Sequence, residues 1–231
     1  MTRACSKCSI RHRGLCASLA AADLAALSRL GRRRRVAKHE SIVWAGDENM
    51  LCANIVSGVF KLDASTADGR EQIVGLLYPA DFIGRPYAPS SHYNVVALTD
   101  AELCVFPRAG FERVLHNHTG LKRMLLQRTL DELDHTREWM LLLGRKTAEE
   151  KIASFLVQMA RRLSHGRVEA ASDSFVLPLS RTEMADLLGL TIETVSRQIT
   201  KLRSAGIIDL RTTRSVRILD ARALAARAEQ G

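Results

Sequence analysis

Three cysteines crowd the start of this chain: Cys5, Cys8 and Cys16, in MTRACSKCSIRHRGLC, with spacing C-x2-C-x7-C. Thiolates two residues apart can face one metal centre, and the neighbouring Lys7, Arg11, His12 and Arg13 are expected to favour the thiolate form. Four-cysteine sites hold zinc or an iron–sulfur cluster, so a fourth ligand is needed, and the two remaining cysteines, Cys52 and Cys104, are the candidates. Redox-active or incidental thiols without metal are the plainer alternative. Cys52 falls inside a strand pattern and also reads as a small buried residue. No signal-peptide or membrane-length apolar run is present, which points to the cytoplasm and away from a disulfide framework.

The second chemistry-bearing stretch is LSRTEMADLLGLTIETVSRQITKLRSAGII, residues 179–208. Ser180 with Glu183 three residues on is a capping box opening a helix to Leu188. Gly189 supplies a turn, and Thr191 caps a second helix. Met184, Ala185, Leu188, Leu190, Val195 and Ile199 form a shared core in which the small Ala185 lets two helices cross. Thr191, Glu193, Thr194, Ser196 and Arg197 are left at the outward start of the second helix, the layout of a DNA recognition helix. A plain helical hairpin with a polar outer face is the competing reading.

The net charge of +9 suits a polyanion. From Arg145 onward there are 15 Lys and Arg against 10 Asp and Glu, so the excess is denser in the part carrying the helix pair. No catalytic constellation is evident, so an enzyme is not expected. His92, His116 and His118 read as surface or loop residues.

These groups need a frame. Residues 19–30 have helical spacing, and Arg32 to Arg35 read as a solvated connection. From Val36 to Pro107 short strand patterns alternate with turns, Ser57-Gly58 and Asp68-Gly69 among them, suggesting an antiparallel barrel or jelly roll. A short helix over 109–117 and a long one from about Gly120 to Leu143 follow. On the long helix Leu126, Leu130, Leu133, Arg137 and Met140 step by four and three, a coiled-coil seam with one charged member. That favours a homodimer helix over one packed on its own domain. Residues 145–163 form another amphipathic helix, and IIDLRTTRSVRILD reads as a two-stranded wing whose Thr212, Thr213 and Arg214 suit phosphates. The expected division is a cysteine arm (1–20), a β-roll (21–118), a dimerisation helix (119–144) and a winged helix-turn-helix (145–231).

An α+β chain with a β-roll, a long dimer helix and a C-terminal winged helix-turn-helix resembles the CRP/FNR superfamily of bacterial transcription regulators, over nearly its whole length. GLTIETVSR is similar to the FNR-branch recognition helix, whose E-x-x-S-R pattern reads a TTGAT half-site and maps onto Glu193, Ser196 and Arg197. The cysteine-rich arm and a further cysteine in ELCVFP at the end of the roll resemble the same branch. The resemblance implies an oxygen-labile [4Fe–4S] cluster on Cys5, Cys8, Cys16 and Cys104. It also implies homodimeric binding to double-stranded DNA, RNA polymerase as partner, and control of anaerobic or microaerobic genes. Nucleotide-binding members follow GDFIGE with an Arg-Ser pair; here the loop is ADFIGRPYAPSSHYN, so no cyclic nucleotide is expected. Zinc or a thiol switch in place of the cluster stays open, as does an iron–sulfur electron-transfer protein.

Overall fold

The structure, a computed structural model, describes residues 5, 8–17, 19–48, 50–66, 68–69, 71–163 and 174–229. Lys7 and most of the polar connection over 164–174 lie outside them. The chain forms two compact units, residues 1–135 and 136–231.

In the first unit, helix α1 (Ala21–Leu30) leads into eight strands. These are β1 (Arg32–Val36), β2 (Ser41–Val43), β3 (Leu51–Ser57), β4 (Phe60–Ser65), β5 (Glu71–Leu77), β6 (Phe82–Ile83), β7 (Asn94–Ala97) and β8 (Ala101–Pro107). They make two antiparallel four-stranded sheets, ordered β1-β8-β3-β6 and β2-β7-β4-β5. The core between the sheets takes Val36, Ile42, Ala53, Ile55, Phe60, Leu77, Ile83, Val95, Ala97, Ala101 and Leu103, with residues from all eight strands. This is the expected roll, and the tight β4–β5 connection has Gly69 in the left-handed region as its hairpin signal requires.

Period-two alternation assigns each side of the first sheet. On β8, Ala101, Leu103 and Val105 face the roll interior, while Cys104 and Phe106 face out. On β3, Leu51, Ala53 and Ile55 face in and Cys52 faces out. The outer face is not solvated. It is covered by Leu15 and Cys16, by Leu27 and Leu30 of α1, by Phe111 and Leu115 of helix α2 (Arg108–Asn117), and by Leu121 of helix α3 (Thr119–Arg145).

One expectation fails here. Arg32–Arg35 are not a connection: they form edge strand β1, antiparallel to β8, with Arg33 opposite Cys104. Arg33 pairs with Glu102 at 3.3 Å and Arg34 with Glu40 at 3.0 Å, so ion pairs make the four-arginine run tolerable on an edge. His118 lies in the connection between α2 and α3, a loop position as expected, and its Nδ1 contacts the carboxylate of the largely buried Asp23, joining the start of α3 to α1.

Helix α3 runs through the boundary between the units. The second unit continues with α4 (Ala148–Leu163), β9 (Ser174–Val176), α5 (Arg181–Leu188), α6 (Ile192–Ser204), β10 (Ile208–Leu210), β11 (Ser215–Ile218) and α7 (Ala221–Glu229). Strands β10, β11 and β9 form a three-stranded sheet. Ile152, Phe155, Leu156 and Met159 of α4 are buried with Met184, Leu188, Val195, Ile199 and Leu202.

Candidate metal centre and nucleic-acid interface

The arm coils in successive turns. Arg11 N–H donates to the Cys8 carbonyl at 3.2 Å, Gly14 N–H to Ile10 at 2.8 Å, and Ala17 N–H to Gly14 at 2.9 Å. Two apolar anchors seat it on the outer face of the first sheet. Ile10 packs with Val56 and Ala80, and Leu15 packs with Cys52, Phe106 and Leu27. Cys8 and Cys104 lie against the first of these clusters, Cys16 and Cys104 against the second.

The thiols therefore share one neighbourhood, and their electrostatics record it. The Cys16 thiol is pushed up to about 12, mostly by burial, then by Cys104, Cys8 and Cys5, with Arg11 opposing. Cys104 is pushed up to about 11 by burial, opposed by Arg33 and reinforced by Cys5 and Cys8. Cys52 is also pushed up to about 12 by burial, but its charged neighbours are Glu112 and Arg108 and none is a cysteine. For Cys16, basic neighbours do not produce the low-pKa thiolate expected from the sequence, because desolvation outweighs them, and at Cys104 desolvation likewise outweighs Arg33.

The donor set is four soft sulfurs, which suits iron–sulfur or zinc chemistry. Space beside Cys104 is kept clear: a Cβ on Gly31 would stand 3.0 Å from its Sγ. Among the described residues the side-chain oxygen of Asn54, buried beside Cys16, has no hydrogen-bond partner. Among the described residues no three His, Cys, Asp or Glu side chains converge at single-ion spacing.

At the other site, sequence and structure coincide closely. Ser180 Oγ accepts from Glu183 N–H at 3.2 Å and the Glu183 carboxylate accepts from Ser180 N–H at 2.7 Å, completing the capping box. Gly189 closes α5 in the left-handed region (φ 60°), where a Cβ would be strained. Thr191 Oγ1 accepts from Thr194 N–H at 3.2 Å and opens α6. Val195, Ile199 and Leu202 are buried. Glu193, Ser196 and Arg197 are exposed and Thr194 is half-buried. The outward stripe continues one turn further through the exposed Thr200, which the sequence reading did not include. The Glu193 carboxyl is held below its ordinary value by its own backbone N–H and by the Thr191 side chain.

The wing turn is closed by Thr212 Oγ1, which accepts from Ser215 N–H at 2.9 Å. Thr212 and Thr213 are exposed, as is Arg211, while Arg214 is half-buried with its carbonyl accepting from Leu177 N–H at 2.8 Å. On α3, Leu126, Leu130, Leu133, Arg137 and Met140 are all exposed.

Known proteins match in the same two places. Residues 33–118 match the family described as cyclic nucleotide-binding domain, and residues 150–227 the Crp-like helix-turn-helix domain. The transcriptional activator protein FnrL of Cereibacter sphaeroides is 45% identical over 218 residues, covering 94% of this chain and 88% of that protein. The nitrogen fixation regulation protein FixK of Bradyrhizobium diazoefficiens is 39% identical over 204 residues, covering 88% and 85%. The solved structure of FixK2 from Bradyrhizobium japonicum superposes with a TM-score of 0.79 at 31% identity, covering 87% of this chain and 98% of that one.

Proposed function

Since the chain belongs to the CRP/FNR superfamily of transcription regulators, we propose that it is the oxygen-sensing kind. It binds a TTGAT-type palindrome as a homodimer, holds a [4Fe–4S] cluster on Cys5, Cys8, Cys16 and Cys104, and acts with RNA polymerase on anaerobic or microaerobic genes. The observation that carries this is the shared neighbourhood of those four thiols on the outer face of the roll, from which Cys52 is electrostatically separate.

When bound, such a cluster supplies an oxygen-labile link between arm and roll. The chain's own residues supply the rest. One stripe of α3, Leu121, Met124 and Leu125, packs under the arm. Arg128, at the next position on that stripe, donates to the Arg13 carbonyl. The opposite stripe, Leu126, Leu130 and Leu133, faces solvent. The arm's seating and the dimer seam are thus two faces of one helix, so ordering of the arm bears directly on the seam.

A thiol switch without metal is less well supported: buried thiols with raised pKa values are poor nucleophiles at neutral pH, whereas a metal displaces their protons. A cyclic nucleotide is disfavoured by the loop after β6. There Tyr87 N–H donates to Glu112 at 2.8 Å and Arg108 donates to the Ala88 carbonyl at 2.7 Å, so these groups anchor the loop, and no Arg-Ser pair follows.

On DNA, Arg197 can bond guanine O6 and N7 bidentately, and the ionised Glu193 can accept from cytosine N4. Fluorescence anisotropy with a TTGAT palindrome and a scrambled duplex, anaerobically and after air exposure, tests the reading. Tight specific binding without oxygen that weakens in air is expected; equal binding in both conditions contradicts oxygen sensing.

A further inference from the structure

We infer that Asn54 is a positioning residue for the metal centre: its side-chain amide donates to the sulfur of Cys16 and holds that ligand over Cys104. The inference rests on the cluster assignment made above.

Asn54 sits mid-strand in β3, between β8 and β6, directly opposite Cys104 in register. By strand alternation its side chain shares the outer face with Cys52 and Val56, under the arm. It is 1% exposed, on the face that carries Ile10, Leu15, Val56 and Phe106 with the cysteines. Asparagine is disfavoured in strands and costly on such a face unless its polar atoms are satisfied. Yet among the described residues Oδ1 has no partner, and Nδ2 contacts Cys16 Sγ at 4.0 Å. A leucine of similar size would serve the packing better, so the amide is not explained by the fold of the roll.

It is explained by its neighbour. Only the NH2 end of the amide can donate to sulfur, and a neutral thiol is a weak acceptor. A metal-bound sulfur carries thiolate charge, and a hydrogen bond to a charged acceptor is shorter and about twice as strong. The contact, 4.0 Å long, would gain when Cys16 becomes a ligand. Partners of this kind fix ligand orientation, and their loss typically costs about 10–100-fold in metal affinity.

Asn54→Leu and Asn54→Ser decide the matter, measured beside wild type on the full chain. Leucine removes the donor at similar volume; serine keeps a short one. In the cluster-free proteins, Asn54→Leu should keep or raise the melting temperature while hydrogen exchange of residues 14–17 speeds up. After anaerobic reconstitution, it should lose iron to a chelator about tenfold faster than wild type. Its midpoint potential should fall, because a donor to negative sulfur favours the reduced state. Asn54→Ser should recover part of both effects. Arm exchange and iron loss that match wild type in Asn54→Leu would overturn the inference. Wild type that takes up no iron or sulfide sinks the cluster assignment instead, and arm exchange in the cluster-free variants still decides whether Asn54 holds Cys16.

Discussion

Replacing Arg137 by leucine should convert the air-exposed protein from monomer to dimer. Leu126, Leu130, Leu133 and Met140 are 61%, 47%, 44% and 68% exposed, so each protomer has the equivalent of about two whole apolar side chains to bury on this seam. At about 2 kcal/mol per side chain, two protomers gain about 9 kcal/mol. That falls inside the ~4–15 kcal/mol that association costs. The seam alone therefore leaves a marginal dimer, which is the condition under which a modest contribution from an ordered arm shifts the population. In a parallel homodimer Arg137 faces its own copy, and two like charges about 6–8 Å apart repel by roughly 2 kcal/mol at an effective dielectric near 20. Leucine removes that repulsion and adds about one buried side chain per protomer, about 6 kcal/mol in all. The dimer Kd should tighten by about four orders of magnitude. Analytical ultracentrifugation of the air-exposed proteins reads this directly. Wild type that is already dimeric without a cluster refutes the reasoning. So does Arg137→Leu that stays monomeric, as it would if Asp134 or Glu138 of the partner subunit neutralises Arg137.

Cys104→Ala should abolish the cluster absorbance and Cys52→Ala should leave it, since only Cys104 shares the neighbourhood of the arm thiols; loss in Cys52→Ala alone would reverse the assignment. Arg197→Ala should cost about 1–3 kcal/mol on the cognate site and relax discrimination at its guanine. Arg214→Ala should weaken all sequences alike and lower the salt slope, whereas equal losses on specific and random DNA for Arg197→Ala would remove its base-reading role. In the cluster-free protein the raised thiols of Cys16 and Cys52 stay protonated below the ordinary value of 9.0 and ionise only towards about 12. The unfolded chain ionises first, so the stability these protonated thiols contribute is present below pH 9 and lost as pH rises towards 12. Denaturant melts across that range should show the decline, and their alkylation at pH 7–8 should be slow; rapid labelling of folded protein would contradict their burial.

The helix pair was legible because its signals are local. Ser180, Glu183, Gly189 and Thr191 each act within one turn of themselves, and all four do in space what their types require. The roll was legible in kind, through short strands and turn glycines, but not in its pairings. Arg32–Arg35 carry no alternation of apolar residues, and their strand exists because β8 lies beside them, far away in sequence. The thiol chemistry was misjudged for the same reason. Arg11 is a sequence neighbour of Cys16, but burial under a nonlocal layer has the larger effect. Asn54 and Arg128 gave no signal at all, since an asparagine in a strand and an arginine on a helix acquire meaning only through Cys16 and the Arg13 carbonyl.

Purification without oxygen, followed by iron and acid-labile sulfide analysis with an absorbance spectrum, tests the central claim most directly. Four thiols brought together on the face of the roll should hold about four iron and four sulfide per chain. The protein should be brown and bleach on exposure to air. A colourless protein with zinc alone, or with neither metal nor sulfide, would contradict the account.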